Sequence, residues 1–316
     1  MVEERNQPKM DAKAKRMKFQ ETVGKGEEDR ISVLPDSLNL EIISRLPSIK
    51  SAVRTGILSK RWKHIWTLLP ALSFYHKDEN LKWSEFVSMV NKTLTRRGIL
   101  KLKKFKVCNV EKLGLSIRHL YLKRKFVVDK LFCNNSSFTD LNLDSCIFNS
   151  IGAISWKNLR SLFISNGKLD DDSIENILSG SPLLETLELY DCYGYSRLDI
   201  TSKTVKNLVL DGYIVPEDYN DAGNFTNIVT INAPNILSLT IHGELLLWKV
   251  LLVNVSSLIE ANLDYTRTRQ YKTSLYEADE DMLKGFILNL RHVKELKIGE
   301  LCSKVNFLLL SNLCLC

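Results

Sequence analysis

No run of apolar residues in this 316-residue chain approaches the roughly 20 that a membrane-spanning helix needs. The longest, Leu245 to Val255, is broken by Lys249. A secretory leader is also lacking, because the first 30 residues are charged throughout and contain no apolar core. Cysteine is sparse and odd in number: Cys108, Cys133, Cys146, Cys192, Cys302, Cys314 and Cys316 form no C-x-x-C pair, which excludes a zinc ribbon and argues against a disulfide framework. They read as reduced, mostly buried thiols of a nuclear or cytoplasmic protein. The Asn-x-Ser/Thr triplets at Asn91, Asn224 and Asn254 then have no glycosylation role. The five histidines are scattered without metal-ligand spacing, and no nucleophile motif or phosphate loop is present. No catalytic residue, metal site or cofactor is expected. Asp170-Asp171-Asp172 is read as a helix start, with Asp172 or Ser173 capping a helix near Ile174 rather than holding a metal.

What is present is enough apolar content, 44%, for a sizeable core. Charge is unevenly spread. Residues 29–126 hold 21 Lys and Arg against 7 Asp and Glu, whereas 127–316 hold 16 against 24. Residues 1–28, nearly balanced and poor in large apolar side chains, are expected to form a disordered tail.

Residues 29–74 show three short helical segments with clear punctuation. Leu34-Pro35-Asp36 opens the first, with Asp36 and Ser37 as candidate caps, and Pro47 closes it. Leu38, Ile42 and Leu46 recur on one face, while Leu40 and Ile43 lie off that stripe, so the helix demands more burial than a three-helix unit supplies. Ser48 starts a second segment carrying Ala52, Val53 and Ile57, and Ser59 starts a third over 60–69. In the third, Trp62, Ile65, Trp66 and Leu69 repeat at i, i+3, i+4, i+7. Trp83, Phe86, Val87, Val90 and Leu94 predict a further helix, and 75–116 is assigned to a helical linker that caps the domain beginning at residue 117.

The residues Asp29-Arg30-Ile31-Ser32-x-Leu34-Pro35-Asp36, Ile42-Ile43-x-x-Leu46-Pro47, Ala52-Val53-Arg54-Thr55-x-x-Leu58-Ser59-Lys60-Arg61-Trp62 and Trp66 resemble the F-box of plant F-box/leucine-rich-repeat proteins. Gly56 departs from that pattern, where the family carries Ser or a similar small residue. The resemblance implies that Leu34, Pro35, Ile42, Leu46, Leu58 and Trp62 help dock a Skp-type adaptor and, through it, a cullin.

Over 117–316 the template L-x-x-L-x-L-x-x-N/C recurs in eight registers centred on Leu120, Leu141, Leu162, Leu187, Leu208, Leu239, Ala261 and Leu296. The first four successive steps are 21, 21, 25 and 21 residues, and the later ones 31, 22 and 35. Each unit pairs a short strand with a return segment, and Cys146 and Cys192 fall at the Asn/Cys position. The expected fold is therefore an α/β repeat protein: a three-helix F-box-like module and then a leucine-rich repeat solenoid. The array is expected to end short at its C-terminus.

Residues flanking the two strand leucines project onto the open face of such a sheet. Between Asp140 and Asp264 that face is acidic, with no Lys or Arg. Asp144, Phe163, Glu188, Tyr190, Asp211 and Asp264 are the candidate target-binding residues, matched to a basic segment of a partner protein; the alternative is that an acidic domain shows acid on every exposed strand position. The expected function is a non-enzymatic substrate receptor of an SCF-type ubiquitin ligase. The alternative is a repeat scaffold whose basic front half binds RNA or another polyanion.

Overall fold

The computed structural model describes residues 33–46, 48–76, 82–97, 102–109, 126–128, 130–148, 152–212, 228–243, 250–265 and 285–299. The chain starts with α1 (Asp36–Ser44), α2 (Ile49–Arg54), a 3-10 turn (Thr55–Ile57) and α3 (Trp62–Ile65), which runs on as a 3-10 turn to Leu68. Pro35 occupies the N-cap position of α1. Asp36, expected as a cap, instead accepts from Arg61 Nε at 2.8 Å and so ties α1 to the approach of α3. Ser48 caps α2 by accepting from Ser51 N at 3.2 Å. The second helix ends before Gly56, where an added Cβ would stand 3.1 Å from the Lys63 backbone. A small residue lets the two segments approach there.

Trp62, Ile65, Trp66 and Leu69 are all buried, in line with their periodicity. On α1 the face turned inward is Asn39 and Ile43, while Leu38 and Ile42 look outward. Asn39 donates from Nδ2 to Leu34 O at 3.2 Å, which pins the chain entry to α1.

Strand β1 (Ala71–His76) comes directly after, then α4 (Trp83–Arg97) and β2 (Lys104–Asn109). After β3 (Phe126–Val128) and α5 (Lys130–Cys133) come β4 (Asp140–Asp144), β5 (Cys146–Phe148), β6 (Ser161–Ser165), α6 (Asp171–Gly180), β7 (Thr186–Tyr190) and β8 (Arg197–Asp199). The remainder is β9 (Asn207–Asp211), β10 (Val229–Asn232), β11 (Ser238–Gly243), β12 (Val250–Asn254), β13 (Glu260–Tyr265) and β14 (Glu295–Ile298). Nine of these form one sheet in the order β1-β2-β4-β6-β7-β9-β11-β13-β14. Every pair in it is parallel. A second sheet, β12-β10-β8, is built from return segments, and β3 pairs with β5.

The register aligns Leu72, Phe105, Leu141, Leu162, Leu187, Leu208, Leu239, Ala261 and Leu296 in one row across the nine strands. A second row runs from Phe74 through Val107, Leu143 and Ile164 to Ile298. Both rows are buried up to β13, together with Leu198, Ile231, Val250 and Leu252 of the return strands. Between β6 and β7 the return is α6, which buries Ile174 and Ile177. Its cap is Asp170, whose side chain accepts from Ser173 N at 2.8 Å, rather than Asp172 or Ser173.

The sheet thus starts at Ala71, within residues that the sequence pattern assigns to the front module and its linker. Leu69-x-x-Leu72-x-Phe74 and Leu102-x-x-Phe105-x-Val107 fit the repeat template once aromatic and β-branched residues are admitted. The register centred on Leu120 lies outside the described residues, and the place beside β4 belongs to β2.

Each central strand ends in a left-handed residue: Ser145, Asn166, Asp191 and Gly212, with φ of 54°, 51°, 47° and 70°. Their N–H groups donate to Ser165, Tyr190, Asp211 and His242 O of the next strand, so the ladder runs on through the bend. Asn, Asp and Gly are the residues that tolerate this conformation best. Cys146 and Cys192 come just after two such bends; the Cys192 thiol donates to Ile164 O and Tyr190 O, each at 3.4 Å. Gly167 sits at the equivalent place between them, where an added Cβ would meet Ile164 Cγ2 at 2.6 Å.

Leu187→Asp is expected to abolish cooperative unfolding, because it buries an unpaired carboxylate in the central row. Glu188→Ala, one residue on and facing out, is expected to change stability by about 0.5 kcal/mol or less. Thermal denaturation by circular dichroism checks both, and equal damage contradicts the register.

Candidate functional site

Two surfaces stand out, and their chemistry differs. The first lies on the front helices, where Val33, Leu38, Ile42, Val53, Ile57 and Leu58 are exposed. Ile57 and Leu58 are the most telling of these at 87% and 59%, since they crown the turn after α2 above a core already closed by Ala52, Trp62 and Trp66. Of the residues assigned to adaptor docking, Pro35, Ile42 and Leu58 are exposed, and Leu34 and Leu46 are half-buried. Trp62 is 2% exposed and belongs to the scaffold beneath this surface, a correction to its placement among the docking residues. Its helix is amphipathic, but periodicity does not say whether the apolar face meets the chain's own core or a partner.

The second surface is the open face of the nine-stranded sheet. Phe163, Glu188 and Val209 face one another across β6, β7 and β9, as do Ser165, Tyr190 and Asp211. The Phe163 and Tyr190 rings stack at 4.8 Å between centroids with 30° between planes. Burial first, then the charges of Glu188 and Asp211, then a hydrogen bond to Glu188, push the Tyr190 phenol above its ordinary value. Four of the six target-binding candidates therefore stand together.

Asp144 does not join them as a contact residue. It is 7% exposed, and its Oδ1 accepts from Ser165 Oγ and Asn166 Nδ2, both at 2.9 Å. It braces the left-handed bends, so its assignment to target binding is corrected to a structural one. Asp264 takes its register position opposite His242 on β13. The strands missed in the sequence add Lys104 and Lys106 to the same face. Lys104 pairs with Asp140 at 3.2 Å and Lys106 lies 5.9 Å above the Tyr75 ring.

Asp171, part of the acidic triplet, accepts from Ser196 N and Oγ at 2.8 Å and from Arg197 N at 3.0 Å. Desolvation would raise its pKa, but these hydrogen bonds and the Arg197 charge outweigh it and hold the carboxyl below the usual range. It fastens the loop before β8. Among the described residues no group of three or more His, Cys, Asp or Glu is placed to hold a metal. No helix among them is long and apolar enough to cross a membrane.

A parallel sheet closed by left-handed bends and Cys-lined turns, with helix or strand returns, defines a leucine-rich repeat solenoid. The family model described as FBD-associated F-box protein At5g56370, LRR repeats, matches residues 101–260. The F-box protein At5g03100 of Arabidopsis thaliana is 32% identical over 312 residues, covering 92% of this chain and 94% of that protein. The F-box/LRR-repeat protein At5g02910 of the same plant is 34% identical over 75% of this chain, which spans only 52% of its length. F-box/FBD/LRR-repeat protein At2g04230 is 30% identical over 75% of this chain and 58% of its own length. No solved structure matches the chain. The chain belongs to the plant F-box/leucine-rich-repeat family.

Tyr190 is expected to ionise above the ordinary tyrosine value of 10.0 in an ultraviolet pH titration read as wild type minus Tyr190→Phe. Its folded-state pKa is raised, so the associated stability holds at neutral pH and is lost as pH climbs past the ordinary tyrosine value of 10.0. In the Glu188→Gln, Asp211→Asn double variant the titration returns toward that value. No change in the double variant contradicts the arrangement of the three side chains.

Proposed function

We propose that this chain is the substrate-receptor subunit of an SCF-type (Skp–cullin–F-box) E3 ubiquitin ligase. The front helices, within residues 29–70, form the F-box and dock a Skp-type adaptor, which links the chain to a cullin. The sheet face from β4 to β13 receives the target protein. Ubiquitin transfer takes place on other subunits, so no group of this chain acts as a catalyst. The nucleus and cytoplasm, where such ligases and reduced thiols coexist, are the compartments that fit.

The observation that carries this reading is the exposure of Ile42, Ile57 and Leu58 on helical segments that bury Ile43, Ala52, Trp62 and Trp66. Water gains nothing from apolar side chains held in place at the end of a short helix, and a partner groove would cover them. The F-box named in the matching relatives supports the same assignment. The polyanion reading loses ground at Lys104 and Lys106, which already engage Asp140 and Tyr75.

The test is capture of a purified Skp-type adaptor by the full chain at low and high salt. Wild type is expected to bind equally at both, because apolar docking tolerates salt whereas phosphate contacts weaken steeply. Ile42→Asp with Leu58→Asp is expected to weaken binding about 100-fold or more with an unchanged melting temperature. Wild-type affinity in that double variant overturns the assignment. Trp62→Ala is expected to cost about 3–5 kcal/mol of stability, as a core truncation does.

A further inference from the structure

We infer that Tyr190, stacked on Phe163 and flanked by Glu188 and Asp211, forms a slot for an arginine side chain presented by an extended segment of the target protein. The inference deepens the receptor reading of the sheet face and rests on it, but it does not depend on adaptor docking.

The slot is assembled by three adjacent strands. Phe163 on β6 covers one face of the Tyr190 ring at 4.8 Å. On the other side of β7 lies β9, where Asp211 is the register partner of Tyr190 and Val209 that of Glu188. A planar group entering there meets the Tyr190 ring, with Val209 and the carboxylates of Glu188 and Asp211 on the neighbouring register positions. Both aromatic rings occupy half-exposed positions of the open face and add nothing to the two buried rows beneath.

The charge at this place has one sign. After burial, the charges of Glu188 and Asp211 raise the Tyr190 phenol by disfavouring a further negative charge, and their field favours a cation. Among the described residues, no Lys or Arg stands on the open face from β4 to β13 to supply it. Two basic groups that precede its strands are engaged elsewhere: Arg160 pairs with Glu185, and Lys206 Nζ donates to Asn235 O at 3.3 Å. The neighbouring open-face residues Ser161, Ser165, Thr186 and Asn207 are small or short, which leaves room above the slot.

Arginine fits better than lysine. Its guanidinium is flat, so it lies on the tyrosine ring while its fork reaches two carboxylates, whereas an ammonium is a strongly hydrated point charge that cannot stack. Aromatic anchors hold such a contact once charge has steered the encounter.

The probe is a fluorescent Gly-Ser peptide carrying four arginines, with lysine and citrulline versions of identical length, measured by anisotropy against the full chain. Saturable binding of the arginine peptide is expected, weaker binding of the lysine peptide, and none of the citrulline peptide, which keeps the shape without the charge. Glu188→Gln with Asp211→Asn, and separately Tyr190→Leu, are expected to weaken binding about 10-fold or more, equivalent to about 1.4 kcal/mol. Glu260→Gln with Glu295→Gln removes the same charge from the C-terminal end of the face and is expected to leave binding within about twofold.

Equal losses from the two charge pairs overturn the slot in favour of a general acidic field. Lysine binding as tight as arginine overturns it as well, as does an unchanged affinity in Tyr190→Leu, which would leave the ring stack a cross-strand contact only. A variant lacking residues 1–28 that binds the peptide more tightly identifies that segment, which contains Lys13, Lys15, Arg16 and Lys18, as the occupant and overturns the target assignment. Adaptor capture measured in parallel separates the two readings: peptide binding without adaptor capture refutes the ligase assignment and retains the slot.

Discussion

The continuous parallel ladder from β1 to β14 is the constraint on which the other features depend. A parallel strand leaves its N–H and C=O groups open on both sides, and each must find a partner in the neighbouring repeat. Satisfying them strand after strand fixes a single register, which aligns the buried leucine rows and, on alternate positions, the open-face rows. The bend that ends each strand has to keep the ladder intact while turning the chain under the sheet. Ser145, Asn166, Asp191 and Gly212 do this by entering the left-handed region and still donating to the next strand. Asp144 is absorbed into this requirement, bracing two successive bends at the expense of any role at the surface.

Much of this was legible in the sequence, because the two-residue alternation inside L-x-x-L-x-L is dictated by strand geometry. Seven of the eight registers read there correspond to strands of the sheet. The two strands nearest the front helices were missed for a physical reason: Phe74, Phe105 and Val107 fill the leucine positions with aromatic or β-branched side chains, which pack as well in the row but do not match a leucine template. The linking segments hid them further, since α4 dominates the pattern between β1 and β2. In the front module, periodicity found the helices but not their orientation. On α1 the stripe of Leu38, Ile42 and Leu46 left open what covers it; in the structure Asn39 and Ile43 turn in, and Asn39 Nδ2 donates to the Leu34 carbonyl. Trp62 and Asp144 were misplaced for the same reason: a residue type and a spacing identify a face, and only packing says what lies against it.

The ladder also relates the two surfaces. The front helices lead directly into β1, and the Arg97 side chain donates to the Leu69 carbonyl, joining α4 to the end of the third helical segment. The exposed Ile42, Ile57 and Leu58 are thereby carried by helical segments joined to the same framework that presents Phe163, Tyr190, Glu188 and Asp211. One surface suits a salt-tolerant, permanent partner. The other suits an encounter steered by charge, which is sensitive to salt and more readily reversed. Under the proposed function, that division of chemistry lets the chain remain in a ligase while targets come and go.

The most direct measurement is amide hydrogen exchange of the full chain with and without a purified Skp-type adaptor. The account predicts that added adaptor slows exchange over residues 36–69, most at the turn carrying Ile57 and Leu58, and leaves the amides of β4 to β13 unchanged. Protection that falls on the sheet face, or no protection of the front helices at saturating adaptor, would contradict the division of the chain into an adaptor-docking front and a target-receiving array.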